Sequence, residues 1–222
     1  MPTTPSPAHR PARPGHSALP ATVWLPGPGQ ADICVLAPGR VLPGWALEKI
    51  RTDFARRPGH PPAPLWRLSI TDTGLGMDAR TPCHIEHAPG PAAERASGGP
   101  VVLLAELHPD ALPATPLPPT GGEMPGAVDG GWPGFFHRAH RLLPDGGLLL
   151  LATRQRRQAG VLTDPLGWLI AASRTAGFRY LQHIVIAHVR AVDDRLEPAP
   201  PPGADHGVVH SDLIALTAIH HP

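Results

Sequence analysis

The sequence predicts an α/β fold: a mostly parallel sheet flanked by helices, whose final pair of strands is an antiparallel hairpin. Three observations carry this expectation. The runs "VVLLAEL" (101–107) and "LLLLAT" (148–153) are predominantly apolar segments of strand length, the second with four leucines in a row. Strands covered on both faces belong mostly to parallel sheets with helices on either side. A helix-length segment, 132–143, separates the two runs, as a parallel crossover requires. The last two strand-like segments, "YLQHIVIAHVRAV" and "SDLIALTAI", are joined by a Pro-rich loop (197–207) without a helix, so they are most simply antiparallel neighbours.

The remaining elements follow in chain order. Residues 1–21 read as a disordered, Pro-rich arm, and 22–222 as one domain. "ADICVL" (31–36) has strand length. In "LPGWALEKIRTDFARR", Pro43 suits the first turn of a helix, and Trp45, Leu47, Ile50 and Phe54 recur at helical intervals. "LWRLSI" (65–70) reads as a strand and runs into "TDTGLGMD". Only 83–87 could form a short strand before Val101. A long loop, 108–131, carries six prolines. The helix at 132–143 puts Phe135, Phe136, Ala139 and Leu142 on its apolar side. "PDGG" then turns the chain into the 148–153 strand. "DPLGWLIAASRTAGF" opens with Asp164 as N-cap and Pro165 at the first helical position, and stops at Gly177.

Composition narrows the function classes. The 222 residues include 32 Pro and 24 Gly, and the net charge is +1, with Lys49 the only lysine. So neutral a balance gives no basic face of the kind nucleic-acid binding uses. Cys34 and Cys83 make neither a disulfide framework nor a CxxC metal motif. The fourteen histidines fall at no usual zinc spacing, so no metal is expected. No run has the length of a membrane span and no signal peptide is visible, so the expectation is a cytoplasmic protein with no membrane partner. Arg154, Arg156 and Arg157 follow a strand and read as a solvated loop.

The C-terminal half resembles class I S-adenosylmethionine-dependent methyltransferases, whose sheet ends in a reversed hairpin. "FFHRAHRLLPDGGLLLLAT" is similar to the family's "R-v-L-k-P-G-G" element through Arg141, Leu143, Pro144, Gly146 and Gly147. "AASRTAGFRYLQHIVIAH" resembles the helix and sixth strand that follow, through Ala176, Gly177 and Phe178. "HSDLIALT" is similar to a strand of amino-methylating DNA methyltransferases, with Asp212 where Glu is usual. In the N-terminal half, "APGRVLPGWALEKI" keeps Arg40, Pro43, Leu47 and Ile50 of the same subfamily, and "RRPGH" keeps Pro58 and Gly59.

The resemblance implies a Rossmann-like fold, S-adenosylmethionine as cofactor and DNA amino groups as acceptors. It implies cofactor binding at Asp72, Gly74 and Gly76 of "TDTGLGMD", where a Cβ would collide with the ligand, and Glu86 as the acid for the adenosine ribose. His108 and Asp110, just past a strand end, are the candidate catalytic groups, because ligands sit at the carboxyl ends of parallel strands.

The departures point to lost catalysis. The subfamily's "D/N/S-P-P-Y/F/W" has no counterpart after "VVLLAEL": Pro118-Pro119 is flanked by Leu117 and Thr120, so its polar and aromatic members are both missing. The interval from Gly76 to Val101 is too short for the usual second and third strands with their helices. A methyltransferase-like protein with weak or absent transfer to DNA amino groups is therefore expected. The alternative is a non-catalytic α/β binding protein without a cofactor.

Overall fold

The computed structural model describes residues 21–27, 40–56, 65–70, 83–86, 101–108, 132–158, 161–200 and 209–220. The expected arm up to Pro20, "ADICVL", the loop from Pro109 to Gly131 and the glycine-rich segment 71–82 lie outside them. Eleven strands are described: β1 Ala21–Trp24, β2 Leu65–Ile70, β3 Cys83–Glu86, β4 Val102–Leu107, β5 Leu148–Thr153, β6 Arg156–Gln158, β7 Val161–Thr163, β8 Phe178–Ala187, β9 Val189–Val192, β10 Arg195–Pro198 and β11 His210–Ala218. The helices are α1 Gly44–Ile50, continued by a π-helical turn at Arg51–Ala55, then α2 Trp132–Leu142 and α3 Leu166–Thr175.

Seven strands form the central sheet in the order β1-β8-β11-β5-β4-β2-β3. β2, β4 and β5 run parallel, as do β1 and β8. β11 is antiparallel to both of its neighbours, β8 and β5. This is the mostly parallel α/β sheet with a reversed final strand that the sequence predicts, consistent with a methyltransferase-like Rossmann fold. The shortened middle is also visible: among the described residues only β3 lies between β2 and β4 in the chain, and it runs antiparallel to β2.

The apolar runs behave as expected. Every residue of β4 is buried, and Leu149 to Thr153 of β5 are buried too. Their alternating side chains feed two cores. On one face Leu103, Ala105, Leu149 and Leu151 pack with Phe135, Phe136 and Ala139 of α2 and with Leu169 and Ala172 of α3. On the other, Val102, Leu104, Leu150 and Ala152 pack with Trp45, Ala46 and Ile50 of α1 and with Trp24 of β1. The "PDGG" turn works through Gly146, at φ +73, and Gly147, whose N–H donates to the Pro144 carbonyl at 2.8 Å. α3 begins at Leu166, one residue later than expected, yet Asp164 still serves its start, with Oδ1 accepting from the Leu166 N–H at 3.0 Å.

Several details differ from the sequence reading. The segment "YLQHIVIAHVRAV" is two strands, because His188 breaks the ladder. Its N–H donates to the Val209 carbonyl at 2.7 Å and its carbonyl accepts from the Ala199 N–H at 2.8 Å. β9 then pairs with β10 in a separate ribbon, so the expected loop from Glu197 begins inside a strand. Arg156 and Arg157 lie on β6, which pairs with β7, and Arg154 is buried rather than solvated. β1 adds an edge strand that carries no periodic signal in its four residues.

Candidate functional site

The strand order reverses between β2 and β4. β3, the next strand after β2, lies on one side of that pair, and β5, the next after β4, lies on the other. The strands that follow β2 and β4 in the chain therefore lie on opposite sides of this parallel pair, the arrangement at whose carboxyl ends crevices form in α/β sheets. His108 sits at this point. Its N–H donates to the Ile70 carbonyl at 2.9 Å, tying the end of β4 to the end of β2, and its side chain is half-buried.

The other expected site residues are placed as follows. Asp72, Gly74, Gly76 and Asp110 lie outside the described residues. Glu86 closes β3 and pairs in register with Leu65, the first residue of β2. That is the end of β2 remote from Ile70, about 16 Å along the strand at roughly 3.3 Å per residue. The register thus does not bring Glu86 together with His108.

Buried polar side chains along the carboxyl edge form one row on each face of the sheet. On the α1 face, Glu106 of β4 is 1% exposed. Its Oε1 accepts from Arg67 Nη2 at 2.8 Å and from Arg40 Nη1 at 2.9 Å, and its Oε2 accepts from the backbone N–H groups of Val41 and Leu42 at 3.1 and 3.3 Å. Four donors on one carboxylate fix the segment leading into α1 onto β2 and β4. They leave Glu106 committed to holding the chain together.

Further along the same face, Ser211 Oγ donates to the Val41 carbonyl at 2.8 Å, and His188 Nε2 lies 2.8 Å from that hydroxyl. The serine proton is used on Val41, so His188 must donate through Nε2, which leaves Nδ1 as its bare acceptor. Nδ1 is buried without a hydrogen-bond partner among the described residues. Burial, with the positive charge of Arg154 and then His210 beside it, pushes His188 down from 6.5 to about 4, so the ring is neutral.

On the α2 and α3 face, Asp212 of β11 stands opposite Thr153 of β5. Asp212 Oδ1 accepts from His183 Nε2 at 2.8 Å, and His210 Nε2 is 3.7 Å from the same oxygen. Burial raises the Asp212 carboxyl above its ordinary value. The hydrogen bond from His183 and the nearby His210 oppose that, while Asp164 adds to it. Among the described residues no group of three or more His, Cys, Asp or Glu side chains could hold a metal ion, and no helix is long and apolar enough to cross a membrane.

Sequence reasoning missed Glu106, Arg67 and the His183–Asp212 pair as a polar edge. A signal was present for the first: an acid inside an otherwise apolar run must find buried partners. His183 and Asp212, 29 residues apart in the chain, meet only through the pairing of β8 with β11.

No protein-family model matches the chain, and no curated protein matches it. Among solved structures, two of a Thermus thermophilus protein provisionally named a DNA modification methylase are similar. One is a selenomethionine derivative, at 16% identity over 39% of this chain and 34% of that one, with a TM-score of 0.29. The other is complexed with S-adenosyl-L-methionine, at 17% identity over 39% and 35%, again with a TM-score of 0.29. The chain thus spans about a third of the length of those proteins. At that score the likeness adds nothing to the topology described above.

Proposed function

We propose that this chain is a methyltransferase-like protein that binds S-adenosylmethionine where β2 and β4 diverge and has lost efficient methyl transfer to adenine or cytosine amines. The observation that carries the reading is the reversal of strand order between β2 and β4, in a sheet whose last strand is antiparallel. Asp72, Gly74 and Gly76 belong to the segment that leaves β2, and His108 and Asp110 to the one that leaves β4, so both sets start from one crevice. Glycines suit close backbone approach to a nucleoside and amino-acid ligand. Glu86 has no part in this reading, given its register. DNA is the acceptor class that the sequence motifs suggest, and the near-neutral charge argues for weak contact with it.

Transfer to an amine needs an acceptor for the nitrogen's proton and a surface that holds the nitrogen in line with the methyl group. No Asp-Pro-Pro-aromatic segment follows β4, and Glu106, the carboxylate nearest that strand end among the described residues, is taken up by four donors. The same engagement of Glu106 favours the second reading, a binding protein without a cofactor. The test is thermal unfolding of the full chain with S-adenosylmethionine or S-adenosylhomocysteine, since selective binding to the folded state must raise the midpoint. No shift at millimolar ligand would overturn the cofactor reading and leave the second.

A further inference from the structure

The polar pair on the α2 and α3 face is unused by the reading above. Thr153 and Asp212 are directly opposed in the β5–β11 ladder, so their side chains rise next to each other from the same face. They are 0% and 1% exposed. Asp212 Oδ1 is occupied by His183, but Asp212 Oδ2 and Thr153 Oγ1 have no hydrogen-bond partner among the described residues. Buried polar atoms are nearly always paired, and two bare oxygens side by side call for a donor that serves both. An amino group does so, because its two hydrogens diverge by about 120° and can each meet one acceptor. The side chains of His183 and His210, 24% and 31% exposed, stand beside Asp212, their Nε2 atoms 2.8 and 3.7 Å from Oδ1. Asp164 is the other charged group near Asp212. β11 lies two strands from β4 in the sheet, about 10 Å along the same carboxyl edge.

We propose that Asp212 Oδ2 and Thr153 Oγ1 form a receptor for the exocyclic amino group of a nucleobase, entering between the imidazoles of His183 and His210. The choice of a nucleobase amine over another N–H donor rests on the methyltransferase-like reading. The receptor itself rests on the two oxygens. It holds an amine without transferring anything to it.

The experiment is a calorimetric titration of the full chain, without S-adenosylmethionine, with adenosine and cytidine. Purine riboside and pyrimidin-2-one riboside, which lack the amino group, serve as controls. At least one amino nucleoside is expected to bind about tenfold more tightly than its control, the cost of leaving a buried acceptor unpaired. Asp212→Asn presents a donor where the carboxylate accepted and should remove that preference. Thr153→Val, which keeps the shape of the side chain, should reduce it, and it carries the test if Asp212→Asn fails to fold. Equal affinity for amino and control nucleosides, no binding of either, or a preference that survives in both variants would overturn the proposal. A missing response to S-adenosylmethionine in the thermal assay would instead sink the cofactor reading, since these titrations contain no cofactor.

Discussion

Glu106 on β4 accepts a hydrogen bond from Arg67 Nη2 on the adjacent β2 at 2.8 Å, and the two side chains are 1% and 4% exposed. Buried charges are tolerated only when paired and hydrogen-bonded. This carboxylate meets that condition with two guanidinium groups and two backbone N–H groups. The ion pair therefore joins the two strands whose carboxyl ends flank the crevice, and it anchors the segment leading into α1 to both of them.

Removing one member of such a pair strands the other. Glu106→Ala is expected to lower the unfolding free energy by about 3–5 kcal/mol, because the Arg67 charge would remain buried without its carboxylate. The double variant Arg67→Leu, Glu106→Leu should recover part of that loss: Arg40, with its side chain 35% exposed, can turn toward water, but the buried N–H groups of Val41 and Leu42 still lose their acceptor. Urea denaturation of the three proteins decides this. A double variant as unstable as the single one would show that the pair matters for more than charge compensation.

Gly177 closes α3 at φ +96, a conformation that L side chains rarely adopt. A Cβ there would stand 2.7 Å from His140 Nε2, which is itself 3.0 Å from the Ile219 carbonyl. Gly177→Ala should therefore cost about 1–3 kcal/mol, from backbone strain together with displacement of the imidazole. His140→Ala in the same background removes the obstacle, so the two losses should be less than additive. Strictly additive losses in thermal unfolding would count against the contact.

The fold was legible where burial acts on both faces of one segment. The apolar runs of β4 and β5, the "PDGG" turn and the Asp164 start of α3 announce themselves locally, because each depends on neighbours in the chain. The split at His188 did not. "HVRAV" continues the alternation of β8, and the interruption comes from backbone hydrogen bonds to Val209 and Ala199, which no local pattern encodes. The carboxyl edge was legible only in part. His108 was found from strand order, whereas Glu106, Ser211 and Asp212 acquire partners through sheet pairing between distant segments. For Glu106, a buried acid within "VVLLAEL" was the one available clue.

His188 should shape the acid limb of stability. Its folded-state value of about 4 lies below the ordinary 6.5, so the unfolded chain takes up the proton first as pH falls. The stability it contributes is complete above pH 6.5 and is lost progressively down to about pH 4. A shift of that size corresponds to about 3 kcal/mol across the window. Asp212 has the opposite sign: its raised value favours the folded state at low pH and gives up that contribution as pH rises. Subtracting a His188→Gln variant isolates the histidine, since glutamine can still donate to Ser211. The wild type should lose about 3 kcal/mol more than the variant between pH 7 and pH 4, read from urea midpoints at each pH. Parallel curves would mean that the ring takes up its proton as readily in the folded protein as in the unfolded chain.

The proposed cofactor site gives the last expectation. Ligand at a hundred times its dissociation constant stabilises the folded state by about 2.7 kcal/mol, which for a chain of this size is a midpoint shift of about 5 °C or more. Gly76→Val should abolish that shift for S-adenosylmethionine while leaving the midpoint of the free protein unchanged, because a branched side chain would occupy the space of the ligand. His108→Ala should weaken the shift without abolishing it, since the backbone tie to Ile70 does not depend on the imidazole. Purified protein given labelled S-adenosylmethionine and DNA should show methyl incorporation near background, because the sequence after β4 holds no Asp-Pro-Pro-aromatic segment. Robust incorporation would overturn the loss of catalysis and make His108 and Asp110 the first residues to replace. A shift that Gly76→Val leaves intact would move the cofactor away from the segment after β2, and with it the reading built on the divergence of β2 and β4.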